Sequence, residues 1–370
     1  MTKVAHFIDS DDPGGAETLI IDLVKALTKR GYEPEVYLFG NSWLEEHCQK
    51  YEIPFHIVPY ESLYRSKYTL PFFILLFTRY LKNKHIHYIH THLFDTVLPT
   101  SIAARILNIP HIATLHDKYS IEDSPFRISV LKFAARLGTL LVPVSRDIKT
   151  LLVANEAIDD KSLQVIYNGV DVEKFDRLVK AIDIHNLDLT PDVFVFICVA
   201  RLIDLKAHDV LIEAFERLVK QGYPVKLLLA GDGPLMGTYQ KAINDRDLND
   251  YIRLLGQRGD VAELLKSSDC FVLASMSEGL SCSIIEAMAA SLPVIATNVG
   301  GNPELVNEEE NGYLVQTRNV DALYEKLLIM VNNKEKAQVM GEASRKRVIS
   351  DFTLEAMVEK YIRLYKQQIQ

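Results

Sequence analysis

Short apolar runs alternate along the chain with longer segments in which apolar residues recur every three or four positions. In the longer segments this spacing puts apolar side chains on one face of a helix, as with Leu19, Leu23 and Leu27. The short runs are apolar throughout, which is typical of parallel sheets covered by helices on both faces. The pattern therefore predicts an α/β protein with thirteen strands: Val4–Ile8, Glu35–Phe39, Phe55–Val58, His87–His90, His111–Leu115, Leu140–Val144, Gln164–Ile166, Val193–Val199, Val225–Ala230, Ile252–Leu255, Cys270–Leu273, Val294–Ala296 and Tyr313–Val315.

The length of the chain and one break in this pattern predict two domains. A chain of 370 residues exceeds the usual size of a single domain. Strong strand signals disappear at 176–192 and then resume, so that each half opens with a strand, a loop and an amphipathic helix. Doubly wound domains bind ligands in the loops at the carboxyl ends of their strands. The final segment, 352–365, predicts a helix with one apolar face.

Composition narrows the class of protein. A formal net charge of −8 argues against a nucleic-acid-binding protein, whose binding surface is usually basic. The four cysteines form no C-x-x-C pair, so no zinc or redox site is indicated. The amino terminus turns acidic after a few apolar residues, unlike a secretion signal, and the longest apolar run, Leu70–Phe77, is too short to span a bilayer. We therefore expect a cytoplasmic protein.

The stretch SEGLSCSIIEAMA contains two glutamates with seven residues between them. Glu278 lies in a predicted loop, and Glu286 lies in a predicted helix that begins at 281–283. A capping box with Ser283 is a sufficient structural reason for Glu286. Glu278 has no comparable structural reason in the sequence, so we interpret it as a carboxylate that binds a ligand. Sugar hydroxyl groups would suit it.

Two further segments carry groups suited to phosphate. Arg201 follows a predicted strand and Lys206 precedes a helix, so that together they would clamp a diphosphate; a solvated surface pair is the alternative. Gly14 and Gly15 lie between the first strand and the first helix, where backbone N–H groups bind phosphate; a tight turn is the alternative.

Two other motifs give weaker signals. The stretch GDGPLMG departs from the dinucleotide spacing, so we reject a nicotinamide site there, although the loop remains a candidate for lining a base or a ribose. Asp9-x-Asp11 has the form of a D-x-D metal motif, but an acidic turn is much commoner than a metal site. No metal ion or other cofactor is therefore expected.

Taken together, these stretches resemble the motifs of retaining glycosyltransferases of the GT-B type, in particular family 4 (group 1). SEGLSCSIIEAMA is similar to the E-x7-E motif of that family. The resemblance covers nearly the whole chain and is strongest from Leu163 to Val315. Further stretches agree in order and spacing: PGGAE, HTHLFD, TLHD, VIYNGVDVEKF, VARLIDLK, AGDGPL, LGQRGDVAELLKSSDCFVLAS, LPVIATNVGGNPELV and NGYLV.

The resemblance implies a GT-B fold, in which two Rossmann-like, doubly wound domains face each other and a C-terminal helix crosses back to the first. It divides the chain into an acceptor-side domain at 1–180, a nucleotide-sugar-binding domain at 190–350, and a helix at 351–370 that packs on the first domain.

The resemblance also implies a role for each candidate residue. His116 and Glu278 would act on the donor sugar, His116 near the reacting carbon and Glu278 at the hydroxyls together with the backbone of Gly279, Leu280 and Ser281. The other donor contacts would be Arg201 and Lys206 at the diphosphate, Glu286 at the ribose, and Gly14 with Gly15 at the phosphate from the opposite domain. Ser281 and Ala207 depart from the family pattern, which usually has proline or glycine at the first position and glycine at the second.

The implied activity is transfer of a hexose or N-acetylhexosamine from a nucleotide-diphosphate sugar to a glycan or lipid-linked glycan in cell-surface polysaccharide synthesis, such as that of lipopolysaccharide. A UDP-sugar is favoured over a GDP-sugar. Retention by front-face attack is expected, because the sequence offers no clear carboxylate nucleophile. The alternatives are a non-hydrolysing sugar-nucleotide epimerase and a dinucleotide oxidoreductase; the missing G-x-G-x-x-G and the E-x7-E motif argue against the second.

The segment Tyr64–His85 carries five basic residues and no acidic one in a chain that is acidic overall. One interpretation is a buried helix of the first domain with solvated lysines at its ends. The other is a surface that touches an anionic membrane, which would suit a lipid-carried acceptor. The second interpretation predicts a peripheral protein at the inner face of the cell membrane.

Overall fold

The chain forms two compact units in the computed structural model, which describes residues 2–10, 14–122, 124–154, 158–159, 163–177 and 192–368. The first unit comprises Met1–Gly169 and Leu354–Gln370, and the second comprises Val170–Thr353. The last helix of the chain is therefore part of the first unit.

The first unit is built on a six-stranded parallel sheet with the strand order β3-β2-β1-β4-β5-β6. Helices connect successive strands, as parallel pairing requires. The elements are β1 (Thr2–Ile8), α1 (Gly15–Lys29), β2 (Tyr32–Leu38), α2 (Ser42–Lys50), β3 (Phe55–Ile57), α3 (Glu61–Tyr64), α4 (Leu70–Lys82), β4 (Tyr88–His92), α5 (Val97–Leu107), β5 (His111–Leu115), α6 (Tyr119–Glu122), α7 (Pro125–Arg136), β6 (Leu140–Pro143) and α8 (Arg146–Ala154).

The second unit repeats this plan with the strand order β12-β11-β10-β7-β8-β9, again all parallel. Its elements are α9 (Val172–Arg177), β7 (Phe194–Val199), α10 (His208–Lys220), β8 (Val225–Ala230), α11 (Met236–Asp245), β9 (Ile252–Gly256), α12 (Val261–Lys266), β10 (Cys270–Leu273), α13 (Cys282–Ala289), β11 (Val294–Thr297), α14 (Asn302–Leu305), β12 (Gly312–Val315), α15 (Val320–Asn332) and α16 (Lys334–Asp351). A short 3-10 turn, Asp204–Lys206, precedes α10.

The C-terminal helix, α17 (Leu354–Gln367), completes the core of the first unit. Its buried face packs against α1 and against apolar side chains of the first sheet, such as Val4 and Tyr88. Every residue of the predicted apolar face is buried: Leu354, Met357, Val358, Tyr361 and Leu364.

Helix α4 has two apolar faces with different environments. Phe73 and Phe77 are buried and belong to an aromatic cluster with Phe7. Phe72 and Leu75 are 64% and 67% exposed. The interpretation of Tyr64–His85 as a buried helix therefore describes one face of α4 and leaves the second face unexplained.

Twelve of the thirteen predicted strands are present, and Gln164–Ile166 is not a strand. The N–H of Ile166 in this segment donates to the carbonyl of Pro143 at the end of β6, as in a parallel ladder. Because Pro143 has no N–H, it cannot donate a hydrogen bond back to this segment. The segment therefore does not continue the sheet as a seventh strand. Ile166 is nevertheless buried in the core.

Among the helices that the structure describes, none is both long enough and apolar enough to cross a membrane.

Candidate functional site

In each sheet, one pair of adjacent strands is followed by connections that leave in opposite directions. In the second unit this pair is β7 and β10, and in the first it is β1 and β4. Such a switch point leaves a crevice at the carboxyl ends of the two strands, where ligands of doubly wound sheets bind. The predicted site residues of the second unit follow β7 and β10, while those of the first follow β1 and β5, the neighbour of β4.

The segment after β7 carries the two predicted phosphate-binding cations. Arg201 is exposed two residues beyond the strand, and Lys206 ends the 3-10 turn. Ala207 then takes the left-handed conformation, with φ 47° and ψ 46°, at the start of α10. This backbone is unfavourable for a residue with a side chain, which explains why a glycine suits this position. Ala207 is nonetheless accommodated and fully buried.

Lys206 and Glu278 form an ion pair with 2.6 Å between Nζ and Oε1. The Oγ of Ser275 donates to the same carboxylate oxygen, also at 2.6 Å. The backbone joins the two loops as well, because the N–H of Met276 donates to the carbonyl of Leu205 at 2.8 Å. The structure thus places a cation from the β7 loop and a carboxylate from the β10 loop at one point.

Two glycines allow this close approach of the loops. A Cβ on Gly300, whose φ is +53°, would lie 1.8 Å from the carbonyl oxygen of Glu278. A Cβ on Gly231 would lie 2.0 Å from the carbonyl oxygen of Ala200, next to Arg201. The sequence interpretation did not assign these roles to Gly300, Gly231 or Ser275, although all three belong to quoted motifs. When the backbones of two loops that are distant in sequence come into contact, the sequence shows this only through the glycine that makes the contact possible.

Helix α13 begins immediately after the Glu278 loop. Its N-cap is Ser281, whose Oγ accepts from the N–H of Ile284 at 3.3 Å. The predicted capping box between Ser283 and Glu286 is wrong, because Ser283 lies inside the helix and its Oγ contacts that of Ser281. Glu286 is half-buried on the same helix.

The remaining backbone groups of this loop connect it to the next one. Gly279 accepts from the N–H of Gly301 at 3.0 Å, and Leu280 is buried. The first N–H groups of a helix have no intrahelical acceptor, and the helix dipole favours negative charge there. Lys206 and the start of α13 therefore lie at one point of the second unit, and Arg201 is carried by the same loop as Lys206. Cations and a helix start are groups suited to a diphosphate.

In the first unit, the two predicted glycines lie at the start of α1. Gly14 is the N-cap, in an extended conformation, and Gly15 is the first helical residue. A Cβ on Gly14 would approach Oε2 of Glu17 to 3.0 Å. Glu17, in the first turn of α1, is itself buried.

The D-x-D candidate falls partly outside the described residues, because Asp11 is not among them. Asp9 is held by Arg65 through two hydrogen bonds of 2.7 Å and 2.9 Å. This bidentate pair occupies both carboxylate oxygens of Asp9.

His116 directly follows β5 and is half-buried. Its Nε2 lies 3.2 Å from Nδ1 of His92 on β4. Burial lowers the pKa of His116 to about 4, against the opposing charge of Asp117. The sequence interpretation missed the histidines behind His116, although the HTH of HTHLFD was a visible signal.

The predicted site residues therefore fall into two groups, one in each unit. Gly14, Gly15 and His116 lie at the carboxyl ends of strands in the first sheet. The second group lies at the corresponding end of the second sheet: Arg201, Lys206, Glu278, Gly279, Leu280, Ser281 and Glu286.

Two protein families match the chain. Residues 13–174 match the family described as Glycosyltransferase Family 4, and residues 179–347 match Glycosyl transferases group 1. Among the relatives is the UDP-Gal:alpha-D-GlcNAc-diphosphoundecaprenol alpha-1,3-galactosyltransferase of Escherichia coli, which is 30% identical over 77% of this chain and 76% of its own. The N-acetyl-alpha-D-glucosaminyl L-malate synthase of Bacillus anthracis is 25% identical over 95% of this chain and 93% of its own.

Solved structures show the same fold. A glycosyltransferase of Rickettsia africae ESF-5 superimposes with a TM-score of 0.86 at 24% identity, covering 100% of this chain and 99% of its own. HepE of Anabaena in complex with UDP gives a TM-score of 0.83 at 22% identity, with 99% and 100% coverage. The predicted two-domain GT-B fold is thus confirmed, and the chain belongs to glycosyltransferase family 4 (group 1).

Proposed function

We propose that this glycosyltransferase acts with retention and moves a hexose or N-acetylhexosamine from a UDP-sugar to a glycan or lipid-linked glycan in cell-surface polysaccharide synthesis. The observation that carries the proposal is the Lys206–Glu278 pair, 2.6 Å apart, beside the start of α13. It combines a cation for phosphate with a carboxylate for hydroxyl groups. A nucleotide-diphosphate sugar is a ligand that has both.

The nucleoside diphosphate that leaves the donor must be stabilised during the reaction. Negative charge builds on this group as the glycosidic bond breaks, so Arg201, Lys206 and the α13 dipole would lower the barrier. Glu286, on the half-buried face of α13, would hold the ribose hydroxyls. The names of relatives support UDP as the carrier, since one uses UDP-Gal and HepE was solved with UDP-glucose.

Retention is supported by chemistry and by the relatives. Double displacement requires a free carboxylate at the anomeric carbon. The Glu278 oxygen Oε1 is already engaged by Lys206 and by Ser275. Front-face attack, in which a diphosphate oxygen takes the proton of the acceptor, needs no such nucleophile. Two relatives are named as α-specific transferases, and an α product from the common α-linked UDP-hexoses corresponds to retention.

The first unit would supply contacts to the sugar and to the acceptor. His116 would donate to the sugar near the reacting carbon, and Gly14 with Gly15 would line the phosphate. One relative transfers to a sugar on diphosphoundecaprenol and another to poly(ribitol-phosphate), which supports a lipid-linked or glycan acceptor. The basic segment Tyr64–His85 would then bring the protein to the cytoplasmic face of the membrane as a peripheral protein.

We also propose that activity needs no metal ion. The D-x-D candidate is disfavoured because Arg65 already holds Asp9 in a bidentate pair. Arg201 and Lys206 would neutralise the diphosphate instead of a divalent cation. Activity should therefore survive EDTA, and a loss that Mg²⁺ or Mn²⁺ restores would contradict this proposal.

The decisive experiment screens UDP- and GDP-sugars by thermal shift and then incubates the stabilising donor with lipid-linked and glycan acceptors. Release of UDP and an anomerically retained product in the NMR spectrum are expected. A product of inverted configuration would refute retention. Interconversion of the sugar nucleotide without any acceptor would instead indicate an epimerase.

A further inference from the structure

Four histidine rings lie against one another on one face of the first sheet. His6 is on β1, His90 and His92 are on β4, and His116 follows β5. The parallel register sets His6 beside His90. The centroids of His6, His90 and His92 are between 4.3 and 5.4 Å apart, and that of His116 is 5.5 Å from His92.

Three of these rings form a hydrogen-bonded chain that runs inward from His116. Nε2 of His116 lies 3.2 Å from Nδ1 of His92, and Nε2 of His92 lies 3.1 Å from Nδ1 of His6. His116 is half-buried, whereas His92 and His6 are buried. At the inner end, Nε2 of His6 has no hydrogen-bond partner among the described residues.

The three rings are neutral at pH 7. Burial lowers the pKa of His6 to about 3 and that of His116 to about 4, and it lowers the pKa of His92 well below its usual value. A neutral imidazole has one N–H and one bare nitrogen. The chain therefore admits only two arrangements of its protons.

The two arrangements differ in what His6 buries. If each ring carries its proton on Nε2, then His6 buries an N–H group without an acceptor. If each ring carries its proton on Nδ1, then His6 buries only a bare nitrogen. Buried N–H groups without a partner are rarer than buried acceptors without one, so the second arrangement is favoured.

We propose that His92 and His6 are positioning residues, which hold the His116 ring in one orientation with its proton on Nδ1. Since Nε2 of His116 accepts from His92, Nδ1–H is the one N–H group left to donate to a sugar hydroxyl. The inference rests on the proposed function, because it assigns His116 to the donor sugar. It extends that function to two residues that never touch the sugar.

These histidines do not have the geometry of a metal centre. His6, His90 and His92 each offer a nitrogen within 4.8 Å of the others, and three histidines are a common zinc ligand set. However, the His90 and His92 rings are stacked with 27° between their planes, so their in-plane lone pairs do not converge. Both nitrogens of His90 are also within 2.7 Å of hydroxyl groups, those of Tyr365 and Thr114.

Nitrogen NMR of ¹⁵N-histidine-labelled protein measures the tautomer without donor or acceptor. In the wild type, we expect His116 to carry its proton on Nδ1. His92→Leu removes the hydrogen bond and should shift His116 towards the Nε2–H tautomer. His92→Asn keeps an amide near the position of Nδ1, so it should preserve the Nδ1–H tautomer of His116.

Kinetics provide the second readout. His92→Leu should lower kcat by up to about 100-fold, because a misplaced ring loses the productive geometry, while KM for the donor changes by less than about threefold. His92→Asn should recover most of that loss. His111→Gln is the matched control, because His111 is also buried on β5 but bonds to Thr91 and Thr139 instead of the chain.

The outcomes separate this inference from the function on which it rests. An Nε2–H tautomer of His116 in the wild type would overturn the inference, as would equal kcat values for His92→Leu and wild type. Stoichiometric zinc in the purified protein would also overturn it, because a metal would replace the hydrogen bonds. The expected tautomer in a protein that transfers no sugar would support the assignment of the protons and overturn the proposed function.

Discussion

The Nζ of Lys206 lies 2.6 Å from Oε1 of Glu278, and the two residues belong to loops 72 positions apart in the chain. Both side chains are largely withdrawn from water, with 16% and 10% of their surfaces exposed. The pair therefore neutralises two charges that would each be costly alone in this position. It also fixes the orientation of the Lys206 ammonium group before any ligand binds, so that in the proposed function Lys206 would meet a phosphate already positioned by Glu278.

Lys206→Met should destabilise the second unit as well as weaken donor binding. Removal of the cation leaves Glu278 partly buried without its partner, which costs about 2–3 kcal/mol of the free energy of unfolding. The double variant Lys206→Met/Glu278→Gln should recover part of that loss, since no charge is then stranded. Urea denaturation of the wild type, Lys206→Met, Glu278→Gln and the double variant measures this coupling energy. Strictly additive effects would show that the pair contributes nothing to stability.

The two glutamates of the E-x7-E motif should have different kinetic effects. Glu286→Ala should weaken donor binding about tenfold to a hundredfold, because in the proposed function a ribose hydroxyl would lose its acceptor. Glu278→Ala should mainly lower kcat, since in the proposed function its contacts would lie next to the group whose charge changes during the reaction. Calorimetric binding of UDP and steady-state kinetics measure the two effects separately. Equal losses of UDP affinity with unchanged turnover would contradict this division of roles.

Most of the fold follows from local patterns in the sequence. Buried strands are apolar throughout, and α17 shows its buried face in the spacing of Leu354, Met357 and Tyr361. Gln164–Ile166 has a strand-like composition, but Pro143, which it contacts at the end of β6, has no N–H to donate in return. The strand predicted at Gln164–Ile166 is absent because of a residue in a neighbouring strand, and a local sequence pattern carries no information about that neighbour.

The site was only partly predictable, for the same physical reason. Arg201, Lys206 and Glu278 belong to motifs of contiguous residues, so the sequence identifies them. The His6–His92–His116 chain depends on the register of three strands, and the contact between Gly300 and Glu278 depends on the packing of two loops. Such relationships appear only when the strands are assembled.

Gly300→Ala tests how far the Glu278 loop depends on its neighbour. The added Cβ would lie 1.8 Å from the Glu278 carbonyl oxygen. In addition, the left-handed backbone, with φ +53°, would cost about 1–2 kcal/mol for alanine. We expect kcat/KM to fall by at least about tenfold as the loop moves. Gly237→Ala is the control, because nothing lies within 4 Å of its Cβ. Unchanged activity of Gly300→Ala would show that the loop tolerates displacement.

Acid should destabilise the first unit before the second. Four buried histidines and the half-buried His116 of the first unit have lowered pKa values, against His208 alone among the described histidines of the second. Each histidine stays neutral in the folded protein, but below pH about 6.5 it binds a proton when the protein unfolds. The free energy of unfolding is therefore highest above that pH, and it falls by about 1.4 kcal/mol per pH unit for each histidine as the pH is lowered. The five are His6, His90, His92, His111 and His116.

The one tryptophan, Trp43, lies in the first unit and reports its unfolding by fluorescence. The urea midpoint from this signal should fall steeply between pH 7 and pH 5, a range above the usual titration of carboxylates. His111→Gln should reduce the slope, because one fewer histidine gains a proton. A midpoint that does not change with pH would contradict the buried, neutral state of these rings.

The exposed face of α4 predicts binding to anionic membranes. Phe72 and Leu75 are exposed on a helix that also carries Arg79 and Lys82, and residues 62–94 contain no acidic side chain. Apolar side chains enter the interface, and each basic residue near the surface contributes about 1 kcal/mol. The wild type should therefore sediment with vesicles that contain anionic lipid, and less so at high salt.

Two variants separate the apolar from the electrostatic contribution. Arg79→Glu/Lys82→Glu/Lys84→Glu should weaken binding by about 100-fold or more, since three attractive charges become repulsive. Phe72→Ser/Leu75→Ser should weaken it at every salt concentration, because the apolar contribution is not screened. Val339→Ser/Ile349→Ser is the matched control, because these side chains are 60% and 53% exposed on α16 of the second unit. A wild type that never sediments, or a control that loses as much binding as the α4 variants, would show that α4 is not a membrane-binding surface.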